Sequence, residues 1–163
     1  MMKLCNAEVI KKIKDLEEQK QEILSDEQKN CTTTYQTETD MIDTGYDFGN
    51  IRKVIENLNK EIMKLKHALN VSNSTVIVEE FGLTIGECLV YMAQLNNEKF
   101  VLERLSRYRS KSRATVGHTG TVEYTVTNYD VEVCKSELNT VKETIRKLQL
   151  AIDRINLNNM IEI

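Results

Sequence analysis

Not one proline occurs in the 163 residues of this chain, and tryptophan is missing as well. The first absence removes the strongest helix breaker, which costs about 3 kcal/mol in a helix interior, so long helices can run uninterrupted. The second, with aromatics at only 6%, means a core built from Leu, Ile and Val along seams rather than around large rings. Histidine is scarce: His67 and His118 are the two present, and the four cysteines, Cys5, Cys31, Cys88 and Cys134, show no CxxC spacing. Structural zinc needs closely paired Cys or His ligands, so we expect no metal. A P-loop, a dinucleotide-binding fingerprint and a Ser/His/Asp arrangement are also missing, so neither a cofactor nor an enzymatic activity is expected. No apolar run reaches the ~18 residues of a spanning helix; the longest candidates lie around Val76 to Val78 and Leu89 to Leu95, and no membrane partner is expected. No apolar h-region precedes Lys11, Lys12 and Lys14, which argues against a secretory signal. The four cysteines then read as free thiols in a reducing cytoplasm. A net charge of −3 provides no global attraction for nucleic acid, an unlikely partner on that ground.

What the chain does have is periodicity. Between about Asp130 and Asn158, apolar residues recur as Cys134, Leu138, Val141, Ile145, Leu148, Ile152 and Ile155. The alternating steps of four and three make a heptad seam, with charged residues between them on the opposite face. Three further segments follow a similar rule. Val9, Ile13, Leu16 and Ile23 mark a helix over about 3–29, although Lys20 interrupts the seam. Phe48, Ile51, Ile55, Leu58, Ile62, Leu65 and Leu69 mark one over 48–70, with Asn70 as its expected C-cap. Ile85, Cys88, Met92, Leu95, Leu102 and Leu105 mark one over 85–109. The last helix spans 131–158. The expected fold is mainly α, a single domain over residues 1–163 in which four long helices form an antiparallel, coiled-coil-like bundle.

Start signals agree with these bounds. Asp47 is the expected N-cap of the second helix and Asp130 of the fourth. Thr84-Ile-Gly-Glu87 spells a capping box, in which the Thr84 hydroxyl takes the Glu87 N–H and the Glu87 carboxylate takes the Thr84 N–H. Residues 30–47, rich in Thr and acids, form a long connection that is either mobile or holds an ordered local turn. Thr75 to Val78 is β-branched throughout and reads as a short strand over 75–78. Residues 114–126 read as a β-hairpin whose turn, Gly117-His118-Thr119-Gly120, has two glycines for positive φ.

Candidate chemistry is sparse. His67 lies between the seam residues Leu65 and Leu69, with Lys64 and Lys66 nearby and no ligand partner at useful spacing, so it reads as a surface or interface residue; His118 reads as a turn residue. Glu79, Glu80 and Glu87 could form an acid pair, but capping already accounts for Glu87, and adjacent residues on a strand face opposite ways. One charge anomaly stands out. Arg104, Arg107, Arg109, Lys111 and Arg113 place five bases and no acid in ten residues, with Tyr108 among them. Such a segment could contact phosphates while Tyr108 stacks on a base. The simpler reading is that cations complement the dipole at a helix C-terminus.

Leu65 to Asn70 before Val76 to Val78, Gly82 to Glu87, Val122-Glu-Tyr124 with Asn128-Tyr-Asp130, and Leu148 to Asn156 together resemble the uncharacterised bacterial septicolysin-like proteins. The resemblance spans nearly the whole chain. It implies a long-helix coiled-coil protein that self-assembles, and the family name suggests a cytolysin. From the residues, the expected function is a self-assembling, non-enzymatic helical scaffold. The expected partner is the chain itself, as a dimer-based homo-oligomer with strand 75–78 pairing across the subunit boundary. Polyanion binding through 104–113 is the alternative, and cytolysis a lesser one.

Cys88 and Cys134 lie on apolar stripes, whereas Cys31 lies in a polar connection. Titration of the native protein with a thiol reagent is therefore expected to label Cys31 first. Labelling of Cys134 ahead of Cys31 would show that the stripe has been misplaced.

Overall fold

The structure, a computed structural model, describes residues 3–116 and 120–163. Among them are four long helices: α1 (Asn6–Asn30), α2 (Phe48–Thr75), α3 (Ile85–Leu105) and α4 (Val131–Asn158). Six short strands accompany them: β1 (Lys3–Cys5), β2 (Ile77–Val78), β3 (Leu83–Thr84), β4 (Lys111–Val116), β5 (Thr121–Val126) and β6 (Met160–Glu162). The mainly helical class is as expected. The chain divides into two compact units, one of residues 1–75 with 155–163 and one of residues 76–154.

In the first unit, α1 and α2 form an antiparallel pair. Their direction follows from the cross-links Lys12–Glu61 at 2.8 Å, Lys66–Glu17 at 2.5 Å, Lys20 to Asn59 at 2.7 Å and the Arg52–Glu27 pair. Lys20, the residue that breaks the α1 seam, spends its ammonium on the Asn59 amide oxygen, so the interruption is accommodated. The core is Val9, Ile13, Leu16, Ile62, Leu65 and Ile161, with Leu4, Leu58, Ala68, Leu69 and Ile163 packed against it. Val9 and Leu65 are almost wholly buried, and each such side chain stabilises by about 1.5–3 kcal/mol relative to exposure. The exposed ion pairs contribute at most ~1 kcal/mol each, so the seam outweighs them.

Several boundaries differ from the sequence reading. Residues 3–5 are extended rather than helical, because β1 pairs antiparallel with β6 (Lys3 with Glu162, Leu4 with Ile161, Cys5 with Met160). Helix α1 therefore starts at Asn6, three residues later than expected, where the Glu8 carboxylate takes the Cys5 N–H at 2.8 Å. Asn70 does not end α2, which runs on to Thr75. There Ser74 and Thr75 turn their hydroxyls back onto the Val71 carbonyl, and Ser72 enters a buried polar cluster. Phe48, expected on the α2 seam, is exposed and stacks on Arg52, 5.3 Å from its ring centre. The 30–47 connection takes the ordered alternative at its end: Gly45, at φ 65°, turns the chain, Asp43 accepts the Gly45 N–H at 2.9 Å, and Thr44 donates to the Asn30 carbonyl at 3.0 Å.

The buried polar cluster joins three remote stretches of chain. Asn6, fully buried, donates to Ser72 Oγ at 3.1 Å and to Asn156 Oδ1 at 3.3 Å. Its own Oδ1 accepts from Ser72 at 3.2 Å and from Asn159 Nδ2 at 2.9 Å, and Asn159 Nδ2 also reaches Ser72 Oγ at 3.0 Å. The Asn6 N–H closes the ring on the Asn159 carbonyl at 3.2 Å. Each polar atom of Asn6 thus has a partner, which a buried amide requires.

In the second unit, β2 pairs antiparallel with β3, Ile77 with Thr84 and Val78 with Leu83. The strand expected over 75–78 is therefore shorter, and its partner lies in its own chain rather than in a neighbour. The reason is Gly82: at φ 64° it lets the chain fold straight back, with the Phe81 and Gly82 N–H groups both on the Val78 carbonyl. Helix α3 ends at Leu105, four residues before the expected 109, and the hairpin begins at Lys111 rather than 114. Helix α4 runs antiparallel to α3: the Cys134 thiol faces the Leu102 carbonyl at 3.7 Å near one end, and Arg154 meets Glu80 at 2.8 Å near the other. Its heptad residues Cys134, Leu138, Val141, Leu148 and Ile152 are buried, with Ile145 and Ile155 half-buried.

Removing Asn6 would leave the Ser72, Asn156 and Asn159 groups short of partners, each loss costing about 1–3 kcal/mol when buried. Asn6→Ala is expected to destabilise by roughly 3 kcal/mol on the same basis, read as a lower midpoint in urea at unchanged slope. A midpoint equal to that of the wild type would show that the cluster is dispensable.

Candidate functional site

The basic segment leaves the end of α3 and enters the hairpin. Arg104 lies in the last turn of α3, Arg107, Tyr108 and Arg109 in the connection, and Lys111 and Arg113 on β4. All six side chains are exposed. Among the described residues, none of the five cations makes an ion pair. The base of the hairpin is tied down by Tyr129, whose phenol donates to the Leu105 carbonyl at 2.8 Å, and by the Thr127 N–H, which reaches the Ser110 carbonyl at 3.2 Å. The Leu105 carbonyl at the end of α3, which also accepts the Tyr108 N–H at 3.2 Å, is thus satisfied without the cations that follow it. Burial and the nearby Cys134 and Tyr108 push the Tyr129 phenol above its ordinary range, so it stays a donor.

Register sorts the hairpin residues by face. Lys111 pairs with Val126 and Arg113 with Tyr124; Ser112 pairs with Thr125 and Ala114 with Glu123. Because successive side chains alternate, Lys111, Arg113, Val122, Tyr124 and Val126 share one face, and the acid Glu123 is on the other. Lys111 Nζ sits 4.9 Å from the Tyr124 ring centre. Tyr124 is 59% exposed, and so belongs to the site although the sequence reading took it only as a strand residue. Its alternation with Val122 and Val126 was the signal that could have found it. His118 lies outside the described residues; His67 is exposed on α2.

A second feature went unread in the sequence. Helix α3 buries Ile85, Cys88 and Leu95, yet Leu89, Val90, Tyr91, Phe100 and Val101 lie exposed, Val90 at 60% and Phe100 at 71%. From Cys88 to Asn97 there is no charged residue at all. Helices α1 and α4 place Lys, Arg, Asp and Glu on their outer faces, as a water-facing helix does. An outer face without charge over nearly three turns is the departure. The polar residue Asn96 turns its amide back to the Met92 carbonyl at 2.9 Å.

Elsewhere, the expected caps make their bonds. The Thr84 hydroxyl accepts the Glu87 N–H at 3.1 Å, and Glu87 accepts the Thr84 N–H at 2.8 Å, which holds the Glu87 carboxyl below its usual range. Asp47 accepts the Asn50 N–H at 3.0 Å, and Asp130 accepts the Glu132 N–H at 2.8 Å. Near the start of α2, Glu27 gathers the Tyr46 phenol at 2.9 Å and the Arg52 guanidinium beside an open groove of about 220 Å³. Burial, with the Glu27 carboxylate next to it, raises the Tyr46 phenol as well. This arrangement fastens the 43–47 turn to α1. Among the described residues no helix is long and apolar enough to cross a membrane, and no group of His, Cys, Asp and Glu could hold a metal ion.

Tyr129→Phe deletes the bond to Leu105 while keeping the ring, a loss of about 1 kcal/mol. The expected result is faster hydrogen exchange at the Thr127 amide with only a slight fall in Tm. Unchanged exchange there would show that the phenol does not hold the hairpin.

No family model matches the chain, and no curated protein matches it. A crystal structure from Corynebacterium diphtheriae, described as a functionally unknown conserved protein, superposes with a TM-score of 0.73 over 99% of this chain and 100% of that one. The two sequences are 16% identical, so the likeness shows the fold alone: this chain shares a complete mainly helical architecture with that protein.

Proposed function

We propose that this protein is a non-enzymatic helical scaffold of the cytoplasm that associates with a second copy of itself through the outer face of α3. The observation that carries the reading is the uncharged stretch Cys88–Asn97 together with exposed Leu89, Val90, Phe100 and Val101. A contiguous apolar face of this kind is costly in water and marks an association surface. The occupant is a second copy because a two-fold axis lets one helix face cover its own counterpart without any further partner. Assembly rather than chemistry is further supported by the buried polar cluster of Asn6, Ser72, Asn156 and Asn159. It is made of amides and a hydroxyl that consume one another, with no titratable group. The four free thiols suit a reducing compartment.

Light scattering coupled to size exclusion at micromolar concentration is expected to give a dimeric mass. Val90→Asp with Phe100→Asp should reduce it to a monomeric mass while the helical circular dichroism is kept, since both side chains are already in water in the single chain. A monomeric wild type would overturn the proposal, as would a double variant that remains dimeric.

A further inference from the structure

We infer that the hairpin is a single-stranded nucleic-acid binding ribbon, with Tyr124 as the stacking platform and Lys111, Arg113 and the Arg107–Arg109 connection as the phosphate contacts. Three observations carry this, and none depends on self-association through α3.

The first is charge. Arg104, Arg107, Arg109, Lys111 and Arg113 are exposed, and no acid of the described residues pairs with any of them. Exposed arginines on helices of this chain do find carboxylates, as Arg146 finds Glu143 at 2.7 Å. The net negative charge of the whole chain does not cancel a local cluster, because at physiological salt charges beyond ~8 Å are largely screened.

The second is register. Pairing of Arg113 with Tyr124 and of Lys111 with Val126 puts two cations, the aromatic ring and two valines on one face. The same register sends Glu123, an acid of the hairpin, to the other face. A phosphate approaching the Tyr124 face therefore meets cations and no carboxylate. Lys111 sits over the Tyr124 ring, 4.9 Å from its centre, a cation–π contact that holds a phosphate-binding cation at the same ring a base would stack on.

The third is the stability of the ribbon itself. Its described side chains are exposed on both faces, and a two-stranded ribbon with no covered face is marginal in water. Tyr108 and Tyr124, 54% and 59% exposed, and Val126 all face water, and no apolar side chain buries them. Tyrosine rings kept in water among unpaired cations have the composition of a stacking groove, where base–aromatic contacts supply affinity and are tolerant of sequence. Unstacked bases are the matching chemistry. A duplex keeps its base faces covered and offers only its phosphates.

The test is fluorescence anisotropy of labelled oligothymidylate and oligouridylate with the full chain, beside a duplex of the same length and co-sedimentation with phosphatidylserine vesicles. Saturable binding of a single strand is expected, tighter than to the duplex, and falling steeply between about 50 and 200 mM salt as counterions are released. Tyr124→Ala should weaken it roughly tenfold, whereas Tyr124→Phe, which keeps the ring, should bind as the wild type does. Lys111→Glu with Arg113→Glu should abolish binding and leave the Tm unchanged, because both side chains are exposed. Relative affinity for the two oligonucleotides then distinguishes a DNA from an RNA ligand. The inference is overturned by no binding at low salt, by equal binding of duplex with no loss in Tyr124→Ala, or by binding to vesicles in place of either strand.

Discussion

The structure of the first unit hangs on one buried amide. Asn6 sits where β1 becomes α1, and it is bonded to Ser72 near the end of α2, to Asn156 in the last turn of α4 and to Asn159 just beyond it. Leaving any of these groups unpaired in a dry site would cost more than an ordinary hydrogen bond contributes, so the four residues either all meet or all lose. That constraint fixes where α1 begins, why α2 passes Asn70, and how the chain emerges from α4 to form β6. The β1–β6 pairing follows from it, since it brings residues 3–5 alongside residues 160–162. Apolar seams make the helices associate, but a smooth seam tolerates a slip by one heptad. A polar cluster with matched donors and acceptors does not.

The two helices of the second unit show how the same pattern can serve different ends. Helix α4 has one narrow apolar stripe, which is buried, and an outer face on which Lys, Arg, Asp and Glu recur along its length. Helix α3 has the stripe as well, but its outer face carries Leu, Val and Phe where α4 carries Lys, Glu and Arg. In a single chain this exposes side chains that would normally be covered. The hairpin between these helices departs from the rule in another way, with exposed cations lacking counterions and tyrosines lacking a core. These two surfaces are local conflicts with folding of the isolated chain, and such conflicts are where function is expected to lie.

Four helices, their apolar stripes and three of their starts could be read from the residues. Cys134 to Ile152 keep a strict spacing, and spacing alone decides which face is buried. Thr84 with Glu87, and Asp47 and Asp130, are local devices whose bonds span three residues or fewer, so nothing remote can alter them. The exposed basic segment was visible for the same reason, because charge counted along ten residues needs no fold.

What the residues could not reveal depends on partners far away in the chain. Lys3–Cys5 and Met160–Glu162 are too short to declare themselves as strands, and only their pairing makes them so. Ser72 reads as a helix-ending residue until Asn6 and Asn159 surround it. Tyr124 is one alternating strand residue among several until the register with Lys111 and Arg113 gives it a charged neighbourhood. Gly82 marks a turn in the sequence, but only the folded-back pairing of Ile77 with Thr84 shows that the strand is closed within its own chain. Sequence determined the helices because a helix satisfies its backbone within four residues. The strands, the polar cluster and the composition of each exposed face were decided by tertiary structure, because each needs a partner that the chain supplies only after it has folded.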